Sequence, residues 1–501
     1  MAARKENTMK ATFFKQWKGS LYTLFVAGLL VLRLFFWFSP GHEEKINMTY
    51  LWPAVIAALV LVITSRRGGM PWSMRITLCL TAWFFISCVI NGDYYLEYNG
   101  RFMLGIFMSL GLCYPVLLNA EGEGRSARLS GLAMCYVALM AGLALASLYT
   151  AVFNAPLSTP LSDQTLGVRE GRLYVFNMHP NEVACSLSIG LFLAVMMALK
   201  TGKPLPGALY LLAGLVIYAA VAITVTRTVM ITVSLGLGAC VYLLVMKLVP
   251  FRRIAAKAAT GVLLAVVTAA VSFAGFNPTV DLITGLSGQG ARGWMTAASA
   301  QAAVPAEEPA PPAETQIEDR SLIKDLSTFT GRTEIWRAGM DYIKQRPITL
   351  LIGSPDSEVA RIPVRSIGRT VYHMHNVLIE MLLLTGIPGL TLYLCLILMV
   401  LKGAFQLFFA ADTPIYLKFL AVIPPLLMVN GFTEIYPTLS GNVMDMMFFV
   451  VSGAELELNG SVKKMEPGEV ILIPPYTTFS TRLREPFLHF YIHFEAKAPF
   501  D

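Results

Sequence analysis

The 501-residue chain is 55% hydrophobic and only 14% charged, with a mean hydropathy of +0.60. Its apolar residues fall in long runs, which excludes a soluble globular domain. The formal net charge of +7 sits mostly in the segments between those runs, so it reports topology and gives no ground for a nucleic-acid partner.

About twelve runs are apolar enough to cross a bilayer, which takes roughly 20 mostly apolar residues. They lie near 21–38, 49–64, 74–91, 102–119, 130–153, 182–199, 207–225, 228–248, 256–275, 376–400, 416–433 and 436–452. The expected fold class is therefore an all-α polytopic membrane protein. The first run follows a basic segment, residues 1–20, and lacks a small-residue cleavage site, so it is expected to stay as the first span. Lys and Arg concentrate in that segment and in alternate connections (Arg66 and Arg67, Arg125 and Arg128, Lys200 and Lys203, Arg252 and Arg253, Lys402 and Lys418). The positive-inside rule then places both termini in the cytoplasm. On this scheme residues 21–275 hold the first nine spans, 276–375 form a large extracytoplasmic loop, 376–452 hold the last three spans and 453–501 form a cytoplasmic tail. The seven cysteines all lie in apolar runs without metal-ligand spacing and read as small core residues.

A charge inside an apolar run costs on the order of 3 kcal/mol even on lenient scales, so it calls for a partner or a function. Arg33 is expected to snorkel to headgroups, and Arg101, at the outer start of the fourth span, carries a weaker version of the functional argument. Arg227 is the clearest case: AVAITVTRTVMITVSLG contains no other ionisable residue. It is either an interfacial arginine or a group with a task. In RLYVFNMHPNEVACSLSIG, residues Asn177, His179, Asn181 and Glu182 gather at the head of the sixth span, where Pro180 suits a first helical turn. A helix cap explains much of that cluster.

The large loop has two parts. Residues 297–320 are rich in Ala, Pro and Glu and carry almost no large apolar group, so they are expected to be disordered. GRTEIWRAGMDYIKQRP, in contrast, sets Ile335, Trp336, Gly339, Tyr342 and Ile343 on one helical stripe that ends at Pro347, with Arg332 in its first turn. The loop returns through LLIGSPDSE and the basic Arg361, Arg365 and Arg369 to His373, His375 and Asn376, at the mouth of HMHNVLIEMLLLTGIPGLTLYL. Five residues into that span stands Glu380, which either makes a packing hydrogen bond or takes part in chemistry.

Arginine guanidinium groups bind phosphate bidentately and keep their charge, and a histidine can take a proton from a sugar hydroxyl near neutral pH. Together at one membrane surface they suit transfer of a glycan from a lipid pyrophosphate. The arginines would hold the departing diphosphate and His375 would activate the acceptor. Such chemistry needs no metal, and the outward segments carry no closely spaced aspartate pair of the kind that holds a divalent ion on a nucleotide-sugar.

The TVTRT element, the loop opening with GRTEIWRAGMDYI and continuing to LLIGSP, and the HMHN run resemble the O-antigen ligase/polymerase superfamily of bacterial envelope glycan enzymes. FNMHPNEVACSL is similar to that family's Asn-Pro-Asn segment, with His-Pro-Asn here. The likeness extends over roughly residues 20–450. It implies a GT-C-like, metal-independent glycosyltransferase without cofactor, acting on undecaprenyl-pyrophosphate-linked glycan at the outer face of the bacterial inner membrane. Residue by residue, the family's loop arginine falls on Arg332, its inter-span arginine on Arg227 and its essential histidine on His375, beside Asn376, while Arg101 matches an early basic residue less securely. His373, Asn376, Trp336 and Asn181 are expected to join Arg101 in binding substrate. Thr226 precedes the inter-span arginine where the family usually has serine, and His373 adds a second histidine. The acceptor, whether glycan, lipid or protein, is not written in these motifs, so ligase and polymerase both stand.

From Gly453 onward the pattern alternates like β-strands, with NG, PGE and PP turns, and resembles about half of the cupin-type domain of AraC-like regulators. Tyr476 and Thr477 stand where metal histidines usually occur, and His489 and His493 share one face of an expected strand. A chimeric or frameshifted reading frame and a small cytoplasmic module are both open. Two rival functions remain: a polysaccharide exporter or flippase, which would need charges through the middle of many spans, and a membrane sensor using the tail, which leaves Arg227, Arg332 and His375 unexplained together.

Overall fold

The computed structural model describes residues 27–28, 72–92, 123–159, 162–169, 171–176, 178–249, 254–286, 332–359, 362–364, 369–370, 373–410 and 413–432. The chain divides into two compact units, Met1–Gly460 and Ser461–Asp501, and the described residues all belong to the first. The expected spans at 49–64, 102–119 and 436–452, most of 21–38, Arg33, Arg101, Asn177, the insert 297–320, Arg361, Arg365 and the tail 453–501 with His489 and His493 lie outside the described residues.

Six described helices are long and apolar enough to cross a membrane. In chain order the elements begin with α1 (Trp72–Ile90) and α2 (Glu123–Phe153), followed by a three-stranded antiparallel sheet of β1 (Leu157–Thr159), β2 (Ser162–Arg169) and β3 (Arg172–Tyr174). Then come α3 (Pro180–Thr201), α4 (Pro204–Ile223), α5 (Arg227–Leu248) and α6 (Ile254–Leu286). The loop region supplies α7 (Arg332–Gln345), α8 (Thr349–Ile352), α9 (Asp356–Val359) and the two-stranded pair β4 (Pro363–Val364) and β5 (Arg369–Thr370). The last described part is α10 (Val377–Phe409), α11 (Ile415–Lys418), a single 3-10 turn at Leu420–Val422 and α12 (Ile423–Gly431). The chain is thus a mostly helical multi-pass membrane protein.

Local sequence sets the helix ends. Helix α3 starts at Pro180, whose missing N–H costs nothing in the first turn, and stops at Gly202, in the left-handed conformation at φ 59. Burial sorts the bundle: 78% of the apolar window of α3 is buried against 11% of that of α6, so α3 is its centre and α6 its rim. Three stretches differ from the sequence expectation. Helix α6 continues through Pro278 to Leu286, beyond the span end expected at 275. The run 416–433 is broken into α11, the 3-10 turn and α12. The sheet between α2 and α3 was not anticipated at all; its β2–β3 ladder pairs Val168 with Leu173 and Arg169 with Arg172, burying Leu166 and Leu173 while Arg172 and Tyr174 stay half-buried.

Helix α10 holds the most consequential irregularity. Gly386 breaks it at φ 67, ψ −170, and Pro388 follows. A membrane interior offers no water to satisfy freed carbonyls, so protein groups must do so. Three successive carbonyls are met from outside the helix: Ser354 N–H donates to Leu383 O at 2.7 Å, Ser87 Oγ shares its one proton between Ile352 O at 2.5 Å and Leu384 O at 3.0 Å, and Trp83 Nε1 donates to Thr385 O at 2.7 Å. The helical partner of Leu384 O would be the nitrogen of Pro388, which has no hydrogen. Trp83 and Ser87 stand four residues apart on one face of α1, and Asn91, four further, donates to Ile352 O at 3.3 Å. Replacing Ser87 by Ala is expected to lower stability by about 0.6–2 kcal/mol, read as a lower thermal unfolding midpoint in detergent. An unchanged midpoint would mean that other donors meet Ile352 O and Leu384 O.

Candidate functional site

Arg227 is the first residue of α5 and is half-buried. The turn before it is tightly determined. Val225 adopts φ 51, an unfavourable region for a β-branched residue, between the buried Thr224 and Thr226. Arg172 of β3 holds the turn from the side: its Nε donates to Thr224 O at 3.2 Å and its Nη2 to Asn181 Oδ1 at 2.7 Å and Thr226 Oγ1 at 3.3 Å. Thr226 Oγ1 also donates to Asn181 Oδ1 at 3.2 Å. The carbonyl of Asn181 therefore serves this brace. His179 caps α3, its Nδ1 accepting from Asn181 N–H at 3.3 Å, and is exposed.

Arg332 is likewise the first residue of its helix and half-buried. A cation at a helix N-terminus opposes the positive end of the macrodipole, so neither arginine is there for its helix. The same two features, guanidinium and helix N-terminus, both attract an anion. Helix α7 presents Ile335, Gly339 and Ile343 as its buried stripe, with Trp336 and Tyr342 half-buried alongside. Its far end is fastened to α8 and α9: Tyr342 Oη donates to Glu358 Oε2 at 2.6 Å and lies 3.3 Å from Ser354 Oγ, and Arg346 pairs with Glu358. Burial, followed by the bond to the Glu358 carboxylate, pushes the Tyr342 phenol above its ordinary pKa.

His375 adopts φ 50, a left-handed conformation in which histidine is enriched among non-glycine residues. Its ring lies 4.4 Å from that of His373, centroid to centroid. Both are half-buried. Asn376 is the N-cap of α10: its Oδ1 accepts from Leu378 N–H at 3.0 Å and Ile379 N–H at 3.2 Å, and its Nδ2 donates to Phe432 O at 3.1 Å. Between the histidines, Met374 is wholly buried and held at both peptide groups. Its N–H donates to Glu380 Oε2 at 2.7 Å and its carbonyl accepts from Trp336 Nε1 at 3.0 Å.

These contacts bring the starts of α5, α7 and α10 to one end of the bundle. Trp336, one turn from Arg332 on the same helical face, touches the peptide preceding His375. Phe432, just past α12, receives Asn376, and Asn430 of α12 donates to Thr232 Oγ1 at 3.4 Å, five residues into α5 from Arg227. Among the expected site residues, then, Arg227, Arg332, His373 and His375 stand at this end, Trp336, Asn376 and Asn181 brace it, and Arg101 lies outside the described residues. Arg172 is a brace that motif reading did not single out, and Glu380, which it did, makes a packing hydrogen bond by accepting from Met374 N–H. The alternation of Arg172 and Tyr174 with Leu173 and Val175 was the available signal for the first. Among the described residues no group of three or more His, Cys, Asp or Glu stands together.

Residues 209–394 match the family described as O-antigen ligase. The match runs from α4 into the broken α10 and contains Arg227, Arg332, His373, His375 and Asn376. A search of curated proteins finds no match to the chain.

Proposed function

We propose, on the match of residues 209–394 to the family described as O-antigen ligase, that the chain is a membrane glycosyl-transfer enzyme of the O-antigen ligase/polymerase superfamily that moves glycan from undecaprenyl pyrophosphate at the outer face of the bacterial inner membrane, without a metal. The observation that carries this reading is the convergence of two helix-starting arginines and a histidine pair on one end of the bundle, tied by the Trp336–Met374 and Asn376–Phe432 bonds. In the reaction, the acceptor hydroxyl oxygen attacks the anomeric carbon and its proton passes to His375. The bond from that carbon to the diphosphate oxygen breaks, and Arg227 and Arg332 neutralise the departing lipid diphosphate. The acceptor is another lipid-linked repeat in a polymerase and a lipid A core or protein side chain in a ligase. Both use the same residues.

The test is glycan transfer by purified protein in proteoliposomes with a polyprenyl-pyrophosphate oligosaccharide, an acceptor and a chelator. Wild type is expected to form a new glycosidic bond, and folded Arg332→Ala to lose about 10²–10³-fold in kcat, as for removal of a donor that meets developing charge. Movement of lipid-linked glycan across the membrane with no new bond would replace this reading by export.

A further inference from the structure

We propose that Glu380 is a positioning residue for His375, acting as a fixed hydrogen-bond acceptor and not as a proton carrier. The proposal rests on the reading of His375 as the base. A carboxyl group that is 0% exposed, in the first turn of a membrane helix, needs a reason to be there. Its contact with the turn before the helix supplies one: Oε2 takes the Met374 N–H at 2.7 Å.

The geometry extends the usual capping arrangement by one step. In a capping box a Glu at the third helical position reaches back to the N–H of the cap residue. Here the cap Asn376 already holds two N–H groups of the first turn, and Glu380, at the fourth helical position, reaches past both Asn376 and His375 to Met374. The positive end of the α10 dipole favours a carboxylate at this place. Trp336 secures the opposite side of the Met374 residue through its carbonyl, and Gly339 leaves the room: a Cβ there would stand 2.9 Å from Met374 Sδ.

His375 therefore lies between two residues whose peptide groups are fixed, Met374 by Glu380 and Trp336 and Asn376 by its role as cap. Its left-handed φ of 50 is a conformation that persists only when its neighbours impose it. If the Met374 N–H is released, the backbone at His375 can relax and the imidazole direction changes. Misplacement of a reacting group by about 1 Å can cost about 10²-fold in rate.

Glutamine separates positioning from proton transfer, because its side-chain carbonyl still accepts from Met374 N–H but cannot take up a proton. The experiment uses full-length wild type, Glu380→Gln and Glu380→Ala in proteoliposomes, with two readouts. The first is the rate of diethyl pyrocarbonate modification at His375, followed by peptide mass spectrometry. It is expected to change severalfold in Glu380→Ala and to stay at the wild-type value in Glu380→Gln. The second is glycan transfer, in which Glu380→Ala is expected to lose about 10²-fold in kcat, with KM for the lipid-linked donor unchanged and Glu380→Gln retaining most of the rate.

An unaltered His375 modification rate in folded Glu380→Ala overturns the proposal. So does a Glu380→Gln variant as inactive as Glu380→Ala whose modification rate is that of wild type, which would make Glu380 a proton carrier. If wild type itself transfers no glycan, the functional reading fails while the modification rates still decide whether Glu380 positions the histidine.

Discussion

His375→Ala is expected to lower kcat for glycan transfer by about 10²–10⁴-fold, the usual contribution of a positioned general base, with the donor KM little changed. Donor affinity on the proposed mechanism resides in the arginines at the starts of α5 and α7, which this substitution leaves in place. His373→Ala is expected to lose less. The two rings are only 4.4 Å apart, so hydroxyl activation by either is sterically open, but the fixed backbone belongs to His375, between the doubly held Met374 and the cap Asn376. The measurement is steady-state transfer by each single variant and the double variant. Equal losses for the single variants would show the pair acting as a unit, and retention of full activity by His375→Ala would remove it as the base.

The parts of this architecture that sequence reading reached are those where the bilayer leaves the chain few options. A span must be long, apolar and internally hydrogen-bonded, which is why the apolar runs at 130–153, 182–199 and 228–248 reappear as α2, α3 and α5 with small changes at the ends. Helix α7 was legible for a different reason: its buried Ile335, Gly339 and Ile343 recur at helical spacing in an otherwise polar segment. The sheet of β1–β3 was not, because strands of three to eight residues give too few alternations to stand out beside apolar runs. The break in α10 was hidden too, since TGIPG is apolar enough to read straight through. At the candidate site, the helix starts could be found from Thr226–Arg227 and Asn376, but the braces could not. Ser87 and Leu384 are 297 residues apart in sequence, and Arg172 reaches Thr224 and Thr226 from a different hairpin. One sequence carries no signal of such pairings beyond an unexplained polar residue in an apolar run, such as Glu380.

Gly353→Ala is expected to be the most damaging single change outside the chemistry, reducing the yield of folded protein severely. Gly353 sits at φ 75, and a Cβ there would lie 2.1 Å from Leu384 O, with the Leu384 carbon and the Thr385 nitrogen close behind. Those atoms are backbone at the break of α10, already engaged by Ser87 and Trp83, so they cannot move aside without giving up bonds that no water replaces. With ψ −167 the Gly353 backbone lies in a region essentially restricted to glycine, which costs an alanine about 1–3 kcal/mol; the overlap adds to that, and a total of several kcal/mol is a large part of a typical folding free energy of about 5–15 kcal/mol. Gly386 meets the same turn from the other side, at φ 67 with a Cβ position 2.8 Å from Leu350 O. The two glycines interlock α8 with α10 roughly 14 Å along the helix from its cap, which gives the segment carrying Arg332 a further attachment to the helix that His375 precedes, besides the Trp336 bond and the packing of Gly339 against Leu383 and Ile379. Detergent-solubilised Gly353→Ala should therefore elute as aggregate in size-exclusion chromatography, where Met340→Ala, on the exposed side of α7, elutes as wild type does. A monodisperse Gly353→Ala with the wild-type unfolding midpoint would show that α8 is not locked into the break.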